Sequence, residues 1–241
     1  MRMRFDLAAI SETGPRSQNE DCAEAWELDE YTVGLVVADG LGGRGSGGAA
    51  SALAVSLLRE RVTSFPKSSN ALVTVFQEIH RQILSEQKKS EQQRFMATTL
   101  TAVFLGETKL VGAHAGDTRA MIARGQGIKK LTSDHSEAQR LFDEGKIDKI
   151  QFRNYPRKHI LESALGAEGE PRIDGFEFSV QVNDRIFVTS DGLHSKLPLR
   201  PMLEISNRFP GANNFAQEAT ENVRRNSPDD NFSIAVAYLK T

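Results

Sequence analysis

The sequence holds a single cysteine, Cys22. Alone it cannot close an internal disulfide, and it cannot furnish a thiolate zinc site. Tryptophan is as scarce, and Trp26 reads most simply as core or edge packing. No apolar run approaches the roughly 18 residues of a membrane helix, and no apolar signal segment follows Met1-Arg2-Met3-Arg4. Neither sign of charge dominates. Lys+Arg number 30 against Asp+Glu 32, a formal net charge of −2, so the clustered basic excess of a nucleic-acid footprint is absent. No repeat, low-complexity tract or Pro/Gly/Ser linker divides the 241 residues. The expectation is one cytoplasmic domain spanning 1–241 with no membrane or nucleic-acid partner, whose metal, if any, is not held by sulfur.

What is present is a pattern of many short strands and few helices. Strands are expected at Phe5–Ile10, Ala23–Leu28 and Thr32–Ala38, then helices over Ser46–Val62 and Asn70–Gln87, where Leu72, Phe76, Ile79 and Ile83 recur at helical spacing. From Ala97 the period changes. ATTLTAVFL, KLVGAHA, RAMIAR and IKKLT read as strands parted by Gly turns. Polar, helix-leaning sequence fills Ser136 to about Tyr155. Strands return at Gly175–Val182 and Asp184–Thr189, with Asn183-Asp184 between them as a hairpin signal. One or two helices, one near Asn214–Arg224, and a strand over Phe232–Leu239 close the chain. The order implies an α+β fold: two stacked antiparallel β-sheets flanked by helices, an α-β-β-α sandwich.

Aspartates collect at the ends of these strands. Asp39-Gly40 ends LVVADG, Gly116-Asp117 ends VGAHAGD, Asp191-Gly192 ends RIFVTSDG, Asp229-Asp230-Asn231 precedes FSIAVAYL, and Glu20-Asp21 precedes the second strand. Strand ends are rigid and hold carboxylates at fixed separations. Converging carboxylates without counter-charge repel one another and are raised in pKa; a divalent cation resolves this, and oxygen-only ligands favour Mg²⁺ or Mn²⁺. Asp-Gly is also a common turn dipeptide, so each pair taken singly reads equally as a turn. Gly40-Leu41-Gly42-Gly43-Arg44-Gly45 matches the glycine pattern of a dinucleotide loop. Asp39 would put a carboxylate where the pyrophosphate passes, however, and no second strand ending in an acid follows the helix. The glycines read better as a close backbone approach.

Taken in order, eight segments resemble the type 2C metal-dependent protein serine/threonine phosphatases (the PPM family) in their compact bacterial form. They are GPRSQNED (14–21), VADGLGG (37–43), MATTL (96–100), AGDTR (115–119), LTSDHS (131–136), ALG (164–166), FVTSDG (187–192) and DNFS (230–233). The resemblance implies hydrolysis of phosphoserine and phosphothreonine in proteins by a metal-bridging water or hydroxide. It implies two core Mn²⁺ or Mg²⁺ ions and a third, weaker one. Asp39 would bridge the core pair, with the Gly40 carbonyl completing one ion; Glu20 would serve the second, and Asp191 and Asp230 the first. Asp117 with Asp191 would hold the third. Asp21 and Asn231 would support these ligands, and Arg16 would clamp the phosphate through its planar fork. The lack of a covalent nucleophile agrees: Cys22 has Leu28, not arginine, six residues on, and no two aspartates stand two apart.

Three features depart from the pattern or stay open. Leu41 stands where many eukaryotic relatives carry a histidine assigned to leaving-group protonation, a change read as lineage. Glu162-Ser163 precedes Ala-Leu-Gly where the family often shows arginine. Ser136–Arg172 resembles the family's flap, and its Arg153, Arg157 and Lys158 read equally as contacts to acidic substrate or as a solvated basic surface. His114 is expected to be packed and His135 to be local support. The expected partners are phosphorylated proteins, a cognate Ser/Thr kinase and its targets, met by a monomer. A catalytically quiet phosphatase-like module that binds phosphoproteins is the alternative; the intact acid set and Arg16 speak against it.

Overall fold

The computed structural model describes residues 3–41 and 46–241. Along the chain run β1 (Arg4–Glu12), β2 (Asp21–Asp29), β3 (Thr32–Leu41), α1 (Ser46–Arg61), α2 (Ser69–Gln87), a 3-10 turn (Glu91–Gln93), β4 (Ala97–Thr98), β5 (Leu100–Leu105), β6 (Lys109–Ala115), β7 (Arg119–Arg124) and β8 (Gly127–Lys130). There follow α3 (Glu137–Asp143), α4 (Lys149–Arg153), β9 (Asp174–Ser179), β10 (Arg185–Thr189), α5 (Asp191–His194), α6 (Leu199–Arg208), α7 (Ala212–Arg225) and β11 (Phe232–Lys240). The strands form two antiparallel sheets, β1-β11-β10-β7-β8 and β2-β3-β5-β6-β9, with β4 paired to β3.

Alternation inside the apolar strands produces the layers. In β3, Val36 and Ala38 face the helices, packing with Leu58, Leu72, Phe76 and Ile79, while Val33, Leu35 and Val37 face the other sheet. In β11, Phe232, Ile234, Val236 and Tyr238 pack under the C-terminal helices, whereas Ala235, Ala237 and Leu239 meet the opposite sheet. Successive side chains point to opposite faces, so a strand covered on both sides must be apolar throughout. Three cores result: helix on sheet, sheet on sheet, sheet on helix. The expected α-β-β-α sandwich is the observed fold.

Two local readings are corrected. Gly175–Val182 and Asp184–Thr189 do not form a hairpin. β9 pairs with β6 in one sheet, and β10 pairs with β7 and β11 in the other. Asn183 does take a left-handed turn (φ 73°), as the dipeptide suggests, but the turn carries the chain across the sandwich. Turn residues report a reversal, not the sheet that receives the next strand. The single strand expected over Ala97–Leu105 breaks at Thr99. The Thr99 N–H donates to the Asp39 carbonyl (2.9 Å) and its hydroxyl accepts from the Asp39 N–H (3.0 Å). The polar helix-leaning stretch after Ser136 is two short helices, α3 capped by Ser136 and α4 by Asp148.

Candidate active site

All the expected acids lie at one end of the sandwich. β2 and β3 pair so that Asp21 stands opposite Asp39. In the other sheet β10 ends at Thr189 opposite Ile234, which places Ser190 and Asp191 beside Asp230, the residue just before β11. Asp117 sits in the tight β6–β7 connection. Ser190 Oγ donates to Asp21 Oδ2 (2.7 Å), and Ser233 N donates to Ser190 Oγ (2.8 Å), so a hydroxyl relay ties the two sheets beneath the acids. Asn231 fastens the rim: its side-chain oxygen accepts from Glu20 N (2.9 Å), and its amide donates to the carbonyls of Thr13 (2.7 Å) and Gln18 (2.9 Å).

Backbone approach is tight here, and one glycine is required for it. Gly40 N donates to the Glu20 carbonyl (3.0 Å), and a Cβ on Gly40 would lie 2.2 Å from the Gly47 carbonyl at the start of α1. Only glycine lets the Asp39–Gly40 strand end touch that helix. Gly42–Gly45, the rest of the glycine-rich loop, lie outside the described residues.

The electrostatics are those of a carboxylate cluster lacking enough counter-charge. Burial, and then the charges of Asp21, Asp191, Asp117 and Asp230, push the Asp39 carboxyl well above its ordinary range. Burial and Asp191 do the same to Asp117. Asp191 is raised by burial and then by the charge of Asp230. Asp21 is raised to about 6, chiefly by burial, against the lowering bond from Ser190. Among the described residues its Oδ1 is buried with no partner. Arg16 stands at the rim, its side chain 56% exposed, with Nη2 on Asp230 Oδ2 (2.9 Å) and Nε on the Asp229 carbonyl (3.1 Å).

Among the described residues, no three His, Cys, Asp or Glu side chains form a ready-made metal cage. The donor set nevertheless fits hard divalent ions. Mg²⁺ keeps several waters and takes one or two carboxylates, so facing acids with an orphaned oxygen suit it better than a closed cage would. No histidine competes. His114 is buried between the Thr101 hydroxyl (2.7 Å) and the Ser133 carbonyl (3.1 Å) and is held neutral, its pKa pushed down by burial to about 3. His135 bonds Asp174 (3.0 Å) and receives Gly116 N (3.3 Å), the local support expected of it.

Several supports carried no visible role in the sequence. Ser190, Ser233, Thr98 and Thr99 lie inside the quoted motifs, but their partners are far away in the chain. Arg119 grips Asp134 with both arms (2.8 and 2.5 Å) beside Asp117; although burial opposes it, the guanidinium holds Asp134 well below the usual carboxylate range. In the flap-like stretch Arg157 pairs with Glu137 (3.1 Å), whereas Arg153 and Lys158 are exposed. Glu162 accepts from Arg140 Nε (2.7 Å).

A sandwich of this topology with a carboxylate rim and an arginine at its lip is the build of a metal-dependent phosphatase. The family model described as protein phosphatase 2C matches residues 15–230, and the chain belongs to that family. It is a serine/threonine protein phosphatase by that membership. The serine/threonine phosphatase stp of Listeria monocytogenes is 34% identical over 200 residues, 79% of this chain and 78% of that one. The crystal structure of the Mycobacterium tuberculosis serine/threonine phosphatase PstP/Ppp is 28% identical with a TM-score of 0.87 and covers all of both chains. A PstP catalytic domain in complex with two manganese ions is 27% identical with a TM-score of 0.85, covering 99% of this chain and all of that one.

Proposed function

We propose that this chain hydrolyses phosphoserine and phosphothreonine in proteins at the Asp39 cluster, with two core Mn²⁺ or Mg²⁺ ions and a third, weaker one. Asp39 and the Gly40 carbonyl, Glu20, Asp191 and Asp230 would hold the core pair, and Asp117 with Asp191 would hold the third. The observation that carries this reading is the set of carboxyls raised by burial and by neighbouring acids, with Asp21 Oδ1 left without a partner among the described residues. When bound, the ions supply positive charge for the phosphate oxygens and an acidified water as nucleophile.

The chain's own groups do the rest. Arg16 has donors to spare beyond its bonds to Asp230 and the Asp229 carbonyl, and it presents them to the phosphate in a fixed plane. Asp21, oriented by Ser190, offers Oδ1 to order a water proton. Asn231 and Thr99 keep Glu20 and Asp39 in place. Leu41 has no proton to give, so the leaving oxygen is protonated from another source. One catalytic domain spans the chain, with residues 136–172 as a flap beside the site. No described helix is long and apolar enough to cross a membrane. A cytoplasmic monomer that reverses a cognate Ser/Thr kinase fits the compact bacterial relatives.

The test is hydrolysis of p-nitrophenyl phosphate and of a phosphothreonine peptide with Mn²⁺, with Mg²⁺ and with chelator, alongside Asp39→Asn. Turnover that needs the metal and vanishes in the variant is expected. A folded, metal-binding protein with no turnover in any metal would contradict the reading.

A further inference from the structure

A groove lies against Ala97 of β4, the short strand paired to the catalytic strand β3. Two adjoining cavities of about 490 and 560 Å³ share Leu84, Gln87 and Arg94 as lining and so form one trough. One wall is the end of α2 and the 3-10 turn; the other is Gly166–Glu168, which follows the Ala-Leu-Gly segment. Ala97 of β4 lies between them. β4 itself is bonded to the catalytic strand: Ala97 pairs with Leu41 and Thr98 with Gly40, and the Thr98 hydroxyl donates to the Asp39 carbonyl (3.0 Å). The trough therefore lies beside the strand that carries Asp39, with β4 one strand spacing (about 4.8 Å) from β3.

Its walls are pre-set. Gln87 Nε2 donates to both the Met96 carbonyl (2.6 Å) and the Gly166 carbonyl (2.7 Å), clamping one wall to the other. Gly166 N donates to His80 Nδ1 (3.0 Å), and Gly166 takes φ +86°, where a Cβ would lie 2.5 Å from both the Ile83 side chain and the Met96 carbonyl. At the mouth stands Phe95, 69% exposed, with the Arg94 guanidinium 5.7 Å from its ring centroid. Lys88 lines the wall without an ion pair among the described residues. A trough with clamped walls, an uncovered aromatic ring and a half-buried leucine, set beside the strand that carries Asp39, suits an extended polypeptide better than a small polar ligand.

We propose that this trough is a docking site for the substrate polypeptide itself, taking a bulky apolar side chain a few residues from the phosphorylated serine or threonine and packing it against Phe95 and Leu84. The proposal rests on the phosphatase reading above. An extended chain advances ~3.3 Å per residue, so an anchor in a trough beside β3 falls within a few residues of the phosphoresidue. Selection between phosphoproteins then comes partly from this side chain, through KM rather than kcat, because the anchor is held alike in ground and transition states.

The test is a series of phosphothreonine peptides in a Gly/Ser background, with one leucine moved through about six residues on either side, a span set by the same reach. Each is assayed with Mn²⁺ on the wild type, Phe95→Ser and Phe95→Leu, with p-nitrophenyl phosphate, too small to reach the trough, as reference. In the wild type, leucine at one position on one side should lower KM about tenfold with kcat unchanged. Phe95→Ser should abolish that preference relative to the reference substrate, and Phe95→Leu should retain it. A wild type indifferent to the position of leucine, or a preference that survives Phe95→Ser, would overturn the docking site while leaving the phosphatase reading intact. Absence of hydrolysis of every substrate, the reference included, would overturn both.

Discussion

Strand β10 has an aspartate just beyond each end, and the two live in opposite conditions. Asp184, before the strand, is wholly buried yet fully served: Arg124 meets both its oxygens at 2.7 Å, and Gln181 N adds a third bond at 2.9 Å. Asp191, after the strand, faces Asp39 and Asp230, carboxyls like itself, and is raised by burial and by the charge of Asp230. The same residue type on the same scaffold is satisfied at one end and frustrated at the other. A fold that neutralises a buried aspartate so completely at one end leaves the other end short of positive charge because a cation completes it.

The contrast is broken most severely at Asp39. Asp39→Asn should lower kcat/KM on p-nitrophenyl phosphate by about a thousandfold or more, read in a steady-state assay with saturating Mn²⁺. Arg16→Lys should lower it by about ten- to a hundredfold, mostly through KM, since a point charge cannot reproduce the planar fork.

At the satisfied end the effect is on stability alone. Asp184→Asn leaves Arg124 without its carboxylate and should destabilise by about 2–3 kcal/mol, a Tm loss of roughly 5–10 °C, with metal dependence unchanged. At the frustrated end the sign reverses. Asp117→Asn removes a repelling charge and should raise the Tm of chelator-treated protein by roughly 2–4 °C, about 1 kcal/mol, while shrinking the stabilisation that Mn²⁺ gives. Paired thermal melts of both variants, with and without metal, check the reversal directly.

The smallest expected effect is on pH dependence. Asp21 titrates near 6 in the folded metal-free protein against an ordinary value of 3.8, and Asp39, Asp117 and Asp191 are raised as well. Folding then favours the protonated forms. The stability Asp21 contributes in this way is full below about pH 4 and is lost as pH rises through about 6, and the other three shift in the same direction. Metal competes with those protons, so the Tm difference between Mn²⁺-loaded and metal-free protein should widen by a few degrees from about pH 5.5 to about pH 7.5. A difference that narrows over that range would contradict the assignment.

Much of this was legible in the chain. The acids announce themselves by sitting at the ends of apolar strands, and the near-continuous apolar runs of Thr32–Ala38 and Phe232–Leu239 already imply cover on both faces. What stayed hidden joins residues distant in sequence. The Ser190–Asp21 bond spans 169 positions, and the clasp of Thr99 on Asp39 spans 60. A serine or threonine near a strand end has many possible partners, and only the assembled sandwich selects one. Asn183-Asp184 misleads for the same reason: its turn is local, whereas the choice of sheet belongs to β6 and β11, which arrive from elsewhere in the chain.

The central claim, that the frustrated end is a cation site, is tested most directly by titrating the metal-free protein with Mn²⁺ and following free Mn²⁺ by electron paramagnetic resonance, for the wild type and for Asp39→Asn. The account predicts uptake of at least two ions per chain by the wild type, with the tight pair lost in the variant. No uptake by folded wild type, or equal uptake by Asp39→Asn, would contradict it.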